Sequence, residues 1–103
     1  MKYKVGDIVK IKTWKEMKKE YGLKFEGVIR CGFYGFTDSM EKELNKDFSD
    51  RIVKIVKIRD SGYYMEGEWS INWSWSDEMI EGLISEIEKE ERIYSRFDIL
   101  DIR

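Results

Sequence analysis

The sequence predicts a mainly β domain with short helices, an α+β fold formed by residues 1–103 as a single unit. Three observations lead there. The stretch YYMEGEWSINWSW, residues 63–75, alternates with the period of a strand: Tyr63, Met65, Trp69, Ile71, Trp73 and Trp75 fall on one side. The run RIVKIVKI, residues 51–58, holds five β-branched residues in eight, the composition of a strand rather than a helix. Helical spacing, by contrast, is confined to short segments.

In chain order, VGDIVKIKT (5–13) opens with a Gly-Asp turn and then alternates through Val9, Ile11 and Thr13, as a half-buried strand does. Trp14, Met17 and Tyr21 recur at helical spacing, and Gly22 supplies a C-terminal stop. FEGVIRCGFYGF (25–36) mixes three glycines with aromatics and reads as an irregular loop or bent strand. In TDSMEKELNKDF, Thr37 or Asp38 caps a helix whose Met40, Leu44 and Phe48 share a face. The 51–58 run has apolar residues on both faces, which predicts a central strand, and Asp60-Ser61-Gly62 turns the chain into the tryptophan stretch.

A straight strand of thirteen residues would be about 43 Å long, against a radius of gyration of about 13 Å for a domain of this size. The stretch must therefore fold back, and Glu66-Gly67 is the expected place, leaving strands at 63–66 and 69–75 with their aromatics inside. Beyond Trp75 the period changes. Ser76 is expected to cap a helix with the stripe Met79, Ile80, Leu83, Ile84 and Ile87. RFDILDIR then closes the chain as an edge strand through Phe97 and Ile99.

Composition narrows the function classes. The chain is 42% hydrophobic and 15% aromatic, enough for a real core and unlike a disordered chain. A lone cysteine, Cys31, excludes an internal disulfide, and the N-terminal MKYKVGDIVKIK has no apolar run of the kind a signal peptide or membrane span needs. A cytoplasmic protein is the expectation. With no histidine the commonest general base and metal ligand is missing, and Cys31 lacks the imidazole a catalytic thiol uses. No phosphate-cradling glycine motif, nucleophile elbow or calcium loop is present. No enzyme activity, metal or cofactor is expected.

Strand, loop with a helical turn, strand, turn, strand and a further turn of helix is the order of an SH3-like small barrel. Gly6-Asp7-x-Val9, Phe36-Thr37-x-x-Met40, Gly62-Tyr63-Tyr64-Met65-Glu66-Gly67 and Trp75-Ser76-Asp77-Glu78-Met79 resemble short uncharacterised proteins of phages and mobile elements, which are similar to SH3-like repeats of the Mind-bomb type. The resemblance covers residues 5–80 and implies a barrel core, to which residues 76–103 add an acidic helix and an edge strand. Its motifs mark turns, caps and core positions, and no catalytic residue.

Binding is the function class left, and three versions are open. A protein-binding module would use the aromatics Phe33, Tyr34 and Phe36 of GFYGF, where a loop makes burial hard to complete, as interface anchors; the ordinary alternative is that they fold back over the barrel mouth. The phage-like resemblance makes the expected partner a host protein that the chain inhibits, in a defence system such as CRISPR. Seven acids between Asp77 and Glu91 face only Lys89, so the acidic helix, through Glu81, Glu88 and Glu91, would meet a basic surface of that partner.

A nucleic-acid-binding module would use Lys10, Lys12, Trp14, Lys15, Lys18 and Lys19, part of a first segment (1–24) with eight lysines and three acids. The sequence pI of about 5.3 weighs against it. A small-molecule binder would stack a nucleotide signal on Trp69, Trp73 or Trp75. The apolar stripe of the 79–87 helix is expected to dock on the barrel or on a second copy, as a homodimer.

Overall fold

The computed structural model describes residues 2–67 and 73–87. Within them the order is β1 (Ile8–Ile11), α1 (Trp14–Tyr21), β2 (Leu23–Phe25), β3 (Val28–Cys31), β4 (Tyr34–Thr37), α2 (Asp38–Asp47), β5 (Ile52–Arg59), β6 (Gly62–Met65) and β7 (Ile80–Leu83). Trp69, Ile71, Glu88, Glu91 and the closing strand expected through Phe97 and Ile99 lie outside the described residues.

The strands form two antiparallel sheets, one of four strands in the order β6-β5-β1-β7 and one of three in the order β2-β3-β4. This is a small compact α+β domain. Among the described residues no ladder joins the two sheets, so the expected barrel is not closed by strand pairing.

β5 is central, between β6 and β1, as its two-sided apolar pattern requires. Val9 faces Val53, and Ile8 faces Lys54, so alternation sends Val9, Ile11, Val53 and Ile55 inward and Ile8, Lys10 and Lys54 outward. The β5–β6 hairpin turns on Asp60 and Ser61, both at positive φ, which is the two-residue turn whose twist suits a hairpin. The tryptophan stretch does fold back: Tyr63 and Trp75 form an antiparallel bridge with both backbone N–H groups donating to the opposite carbonyl, at 2.8 and 3.0 Å.

α1 starts on a capping box. The Thr13 hydroxyl accepts from the Glu16 backbone N–H, and the Glu16 carboxylate accepts from Thr13 N–H. It presses Met17 into the core and ends at Gly22. α2 is capped by Thr37 and buries Met40 and Leu44, with Phe48 half-buried behind them.

Two segments differ from expectation. Residues 25–36, expected as an irregular loop or bent strand, form regular strands instead of a loop; with Leu23 and Lys24 they make the β2-β3-β4 meander. Ile29 and Cys31 on β3 and Phe36 on β4 are fully buried, a period-two alternation hidden among the glycines. The helix expected from Ser76 is also absent. Asp77–Met79 is one 3₁₀ turn, Ile80–Leu83 is a strand, and helix begins only at residue 84.

The free edge of β1 is the physical reason. Ile80 pairs with Ile11, and Leu83 with Val9, so backbone hydrogen bonding to β1 outweighs a helical stripe. Ser76 does not cap with its side chain; its hydroxyl donates to the Cys31 carbonyl at 2.6 Å and ties this segment to β3. Met79 and Ile80 are buried in the chain's own core, so the stripe expected to run through a 79–87 helix is not presented as one face.

One core joins both sheets and both helices. At its centre a row of rings runs Trp14, Phe36, Trp75, with centroids 5.9 and 5.7 Å apart. Trp75 is fully buried and Trp73 half-buried, so these two members of the tryptophan stripe face the interior. Among the described residues no helix is long and apolar enough to cross a membrane.

Candidate partner-binding surface

The β3–β4 hairpin turns on two residues, Gly32 and Phe33, because Cys31 pairs directly with Tyr34. Gly32 sits at φ +68°, a left-handed conformation glycine adopts without strain, and the Glu78 carboxylate lies close to where its Cβ would be. The backbone conformation there strains any residue with a Cβ, and a larger side chain would also have to displace the flexible Glu78 carboxylate. Phe33, at its tip, is 70% exposed, more than any other large apolar side chain among the described residues.

Its neighbour Tyr34 is half-buried and meets the Phe33 ring edge-on, with centroids 5.1 Å apart. The Tyr34 hydroxyl donates to the Asp60 carbonyl at 2.6 Å, in the turn of the β5–β6 hairpin. The Tyr34 ring also lies over Gly62, where a Cβ would come within 2.9 Å of Cε2. The two hairpin tips thus brace each other, and Phe33 stands on that brace.

Two further apolar side chains are exposed on edge strand β2, Phe25 and Leu23. Neither stood out in the sequence. The only signal was FEG, where a glycine two residues after an aromatic marks a turn next to it.

Of the three loop aromatics expected to contact a partner, Phe36 is excluded, because alternation within β4 sends it inward to lie fully buried between Trp14 and Trp75. Tyr34 is a brace with part of its ring exposed. Phe33 alone is presented outright.

The acidic set is likewise thinned. Glu81 is exposed at the edge of β7 and lies 3.9 Å from Lys10, while Glu88 and Glu91 fall outside the described residues.

The lysine patch does not form one surface. Lys12 Nζ lies 3.0 Å from the Glu20 carboxylate and 3.3 Å from the Tyr21 hydroxyl. Burial alone would lower the Lys12 pKa, but the hydrogen bonds to Glu20 and Tyr21 outweigh it and hold the ammonium above its ordinary value. Lys10 belongs to the outer face of the four-stranded sheet, whereas Lys15, Lys18 and Lys19 are exposed on α1. Trp14 is half-buried against Phe36 rather than offered as a stacking platform.

Cys31 is fully buried, with its sulfur 3.6 Å from that of Met17, and burial pushes its thiol up to about 11. A thiol there is not ionised at neutral pH. Tyr63, also buried, accepts from the Tyr3 N–H at 2.9 Å and donates to the Asp77 carboxylate. Burial first, and the bond to Asp77 second, push its hydroxyl up to about 12. Among the described residues no group of three or more acids and cysteines could hold a metal ion.

Comparison with family models, with curated proteins and with solved structures finds no match. The likeness to phage-encoded SH3-like proteins accordingly rests on its sequence motifs alone.

Proposed function

We propose that the chain is a non-enzymatic protein-binding module, SH3-like in its strand order, whose anchor is Phe33. The observation that carries this reading is a large aromatic ring, 70% exposed, on a two-residue turn braced from a second hairpin. Covering the exposed part of such a ring removes on the order of 100–150 Å² of apolar surface from water, worth about 3 kcal/mol. Because the mount is already ordered, little of that gain is spent on fixing it. Phe25 and Leu23 are also exposed, on edge strand β2, and Glu81 offers a charge at another edge of the domain.

The finer reading follows from the resemblance to phage proteins: the partner is a host protein and the effect is inhibition, of a CRISPR or other defence system, in the host cytoplasm. Affinity purification of the tagged chain from that host, beside the Phe33→Asp variant, tests the binding role. One stoichiometric protein should be retained by the parent chain and lost by the variant, with the melting temperature unchanged. Equal retention by both would remove Phe33 from the interface, and recovery of nucleic acid alone would overturn the protein-binding reading. The inhibitory role predicts that the chain restores phage plaquing on a host with active defence and that Phe33→Asp does not.

A further inference from the structure

A second feature lies away from Phe33, on the outer side of the β5–β6 hairpin. The β5–β6 ladder slips by one residue between Ile55 and Lys57, leaving Val56 as a bulge that is 47% exposed. Lys57 then pairs with Tyr64, so ammonium and ring share a face, and Arg59 follows two residues on along the same face. The result is a half-open recess of about 560 Å³ lined by Val56, Lys57, Arg59, Tyr64, Met65 and Glu66.

That volume lies within the range of small-molecule sites, which are apolar with a few placed polar groups. Here the apolar part is the Tyr64 ring with Val56. The polar part is two cations toward the hairpin turn and one carboxylate at the opposite end. Lys57 has no ion pair among the described residues, and Arg59 has one contact, 3.6 Å to its exposed neighbour Asp60.

We propose that this recess binds a nucleoside phosphate. A flat, weakly polar group fits against Tyr64, and its phosphate meets Lys57 and Arg59, the guanidinium offering a fork matched to two phosphate oxygens. Glu66, at the far end, repels phosphate and accepts from an exocyclic amine. The orientation is thereby set, and amine-bearing bases are favoured over uracil and thymine. A linear acidic peptide would carry charge along its length and bring it against Glu66. A nucleotide is charged at one end only. The site is independent of the protein-binding surface at Phe33 and stands or falls without it.

Calorimetric titration of the full chain tests this with AMP, UMP, adenosine, inorganic phosphate and short single-stranded oligonucleotides of adenine or thymine. AMP or the adenine oligonucleotide should bind saturably, ahead of the uracil or thymine counterpart, and adenosine and phosphate alone should bind weakly. Binding of the oligonucleotide without AMP identifies a single strand as the source, and binding of AMP itself identifies a free nucleotide. Lys57→Gln with Arg59→Gln should weaken binding by about tenfold or more, as should Tyr64→Ala, with unchanged melting temperatures for the two exposed-cation substitutions. No saturable binding to any nucleotide or oligonucleotide would overturn the proposal. So would equal affinity for inorganic phosphate, or affinity indifferent to the Lys57 and Arg59 substitutions.

Discussion

Replacing Arg51 should unfasten the domain where α2, β1 and β5 meet. Its side chain is buried and all its nitrogens are used. Nε donates to the Ile11 carbonyl at 3.1 Å, and one terminal nitrogen donates to the Lys12 carbonyl and to Glu41 at 2.9 Å. The other donates to Glu41 at 2.7 Å and to Asn45 at 3.1 Å. Glu41 and Asn45 are four residues apart on α2, so one guanidinium holds the helix by a two-pronged ion pair and the end of β1 by two carbonyls. The backbone of Arg51 is tied as well: its N–H donates to the Phe48 carbonyl and its carbonyl accepts from the Ile11 N–H.

Arg51→Met keeps much of the aliphatic bulk but leaves Glu41 facing an apolar side chain and removes the charged donor from two backbone carbonyls. With side-chain exposures of 9% for Arg51 and 19% for Glu41, this is a largely desolvated pair. Breaking such a pair from one side costs about 3–5 kcal/mol, a large share of the 5–15 kcal/mol that a domain has in total. At about 4–8 °C per kcal/mol for a chain of this length, the melting temperature should fall by at least ~12 °C. Arg51→Lys should recover only part of the loss, since an ammonium cannot make the two-pronged contact. Arg51→Met combined with Glu41→Leu should be more stable than Arg51→Met alone, because the orphaned carboxylate is gone. Urea and thermal unfolding followed by tryptophan fluorescence measure all three. A shift below about 4 °C for Arg51→Met, or a double variant less stable than the single one, would refute the reasoning.

Gly62→Ala should destabilise by about 1–3 kcal/mol, because the new methyl would lie 2.9 Å from the Tyr34 ring and 3.1 Å from Ser74; chemical denaturation checks it. Trp75→Ala, at the centre of the ring row, should cost about 3–5 kcal/mol in the same assay, whereas Phe33→Asp should leave stability nearly unchanged. Stability should also fall at alkaline pH: Cys31 rises from 9.0 to about 11 and Tyr63 from 10.0 to about 12 on folding. Raised values favour the folded state fully below pH 9 and lose that effect from pH 9 to 12, so Tyr63→Phe should flatten the upper part of the decline. In the native chain Cys31 should be inert to a thiol-specific dye at neutral pH and react only on unfolding, as read by absorbance.

What the sequence made legible were elements whose local pattern and tertiary use agree. The 51–58 run is the central strand, α2 buries Met40 and Leu44 as its spacing indicates, and Glu66-Gly67 lies where the tryptophan stretch leaves its strand. The β2-β3-β4 meander was obscured because glycines dilute its alternation and because Leu23, Lys24 and Phe25 are all exposed on an edge strand, leaving no burial pattern to read. β7 was misread because Ile80 and Leu83 fit helical spacing equally well. A register shift opposite Lys10 and Ile11 accommodates them in a strand, and nothing local announces that. Arg51 could not be singled out, because its role depends on residues ten to forty positions away. Phe33 and Phe36 look alike in the sequence although one is exposed and the other fully buried, since the two-residue turn that puts Phe33 at its tip and Phe36 within β4 is visible only in the pairing of Cys31 with Tyr34.

The charge asymmetry of the chain takes on a different meaning once the pairs are placed. The basic first segment invites a nucleic-acid reading, but the fold brings Lys10 to Glu81 and Lys12 to Glu20 and Tyr21, so two of its lysines answer acids of the same chain. Lys54 and Lys57 on β5, which sit in the acidic remainder of the sequence, have no ion pair among the described residues, and Arg59 has only an exposed neighbour. Positive charge without an ion pair among the described residues therefore lies also on the β5–β6 hairpin, beside an aromatic ring and a recess. The same hairpin, through Asp60 and Gly62, braces Tyr34 and with it the exposed Phe33. One turn thus lies beside two surfaces of different chemistry, an exposed aromatic ring on one and a cationic recess on the other. Net charge, averaged over the chain, describes neither.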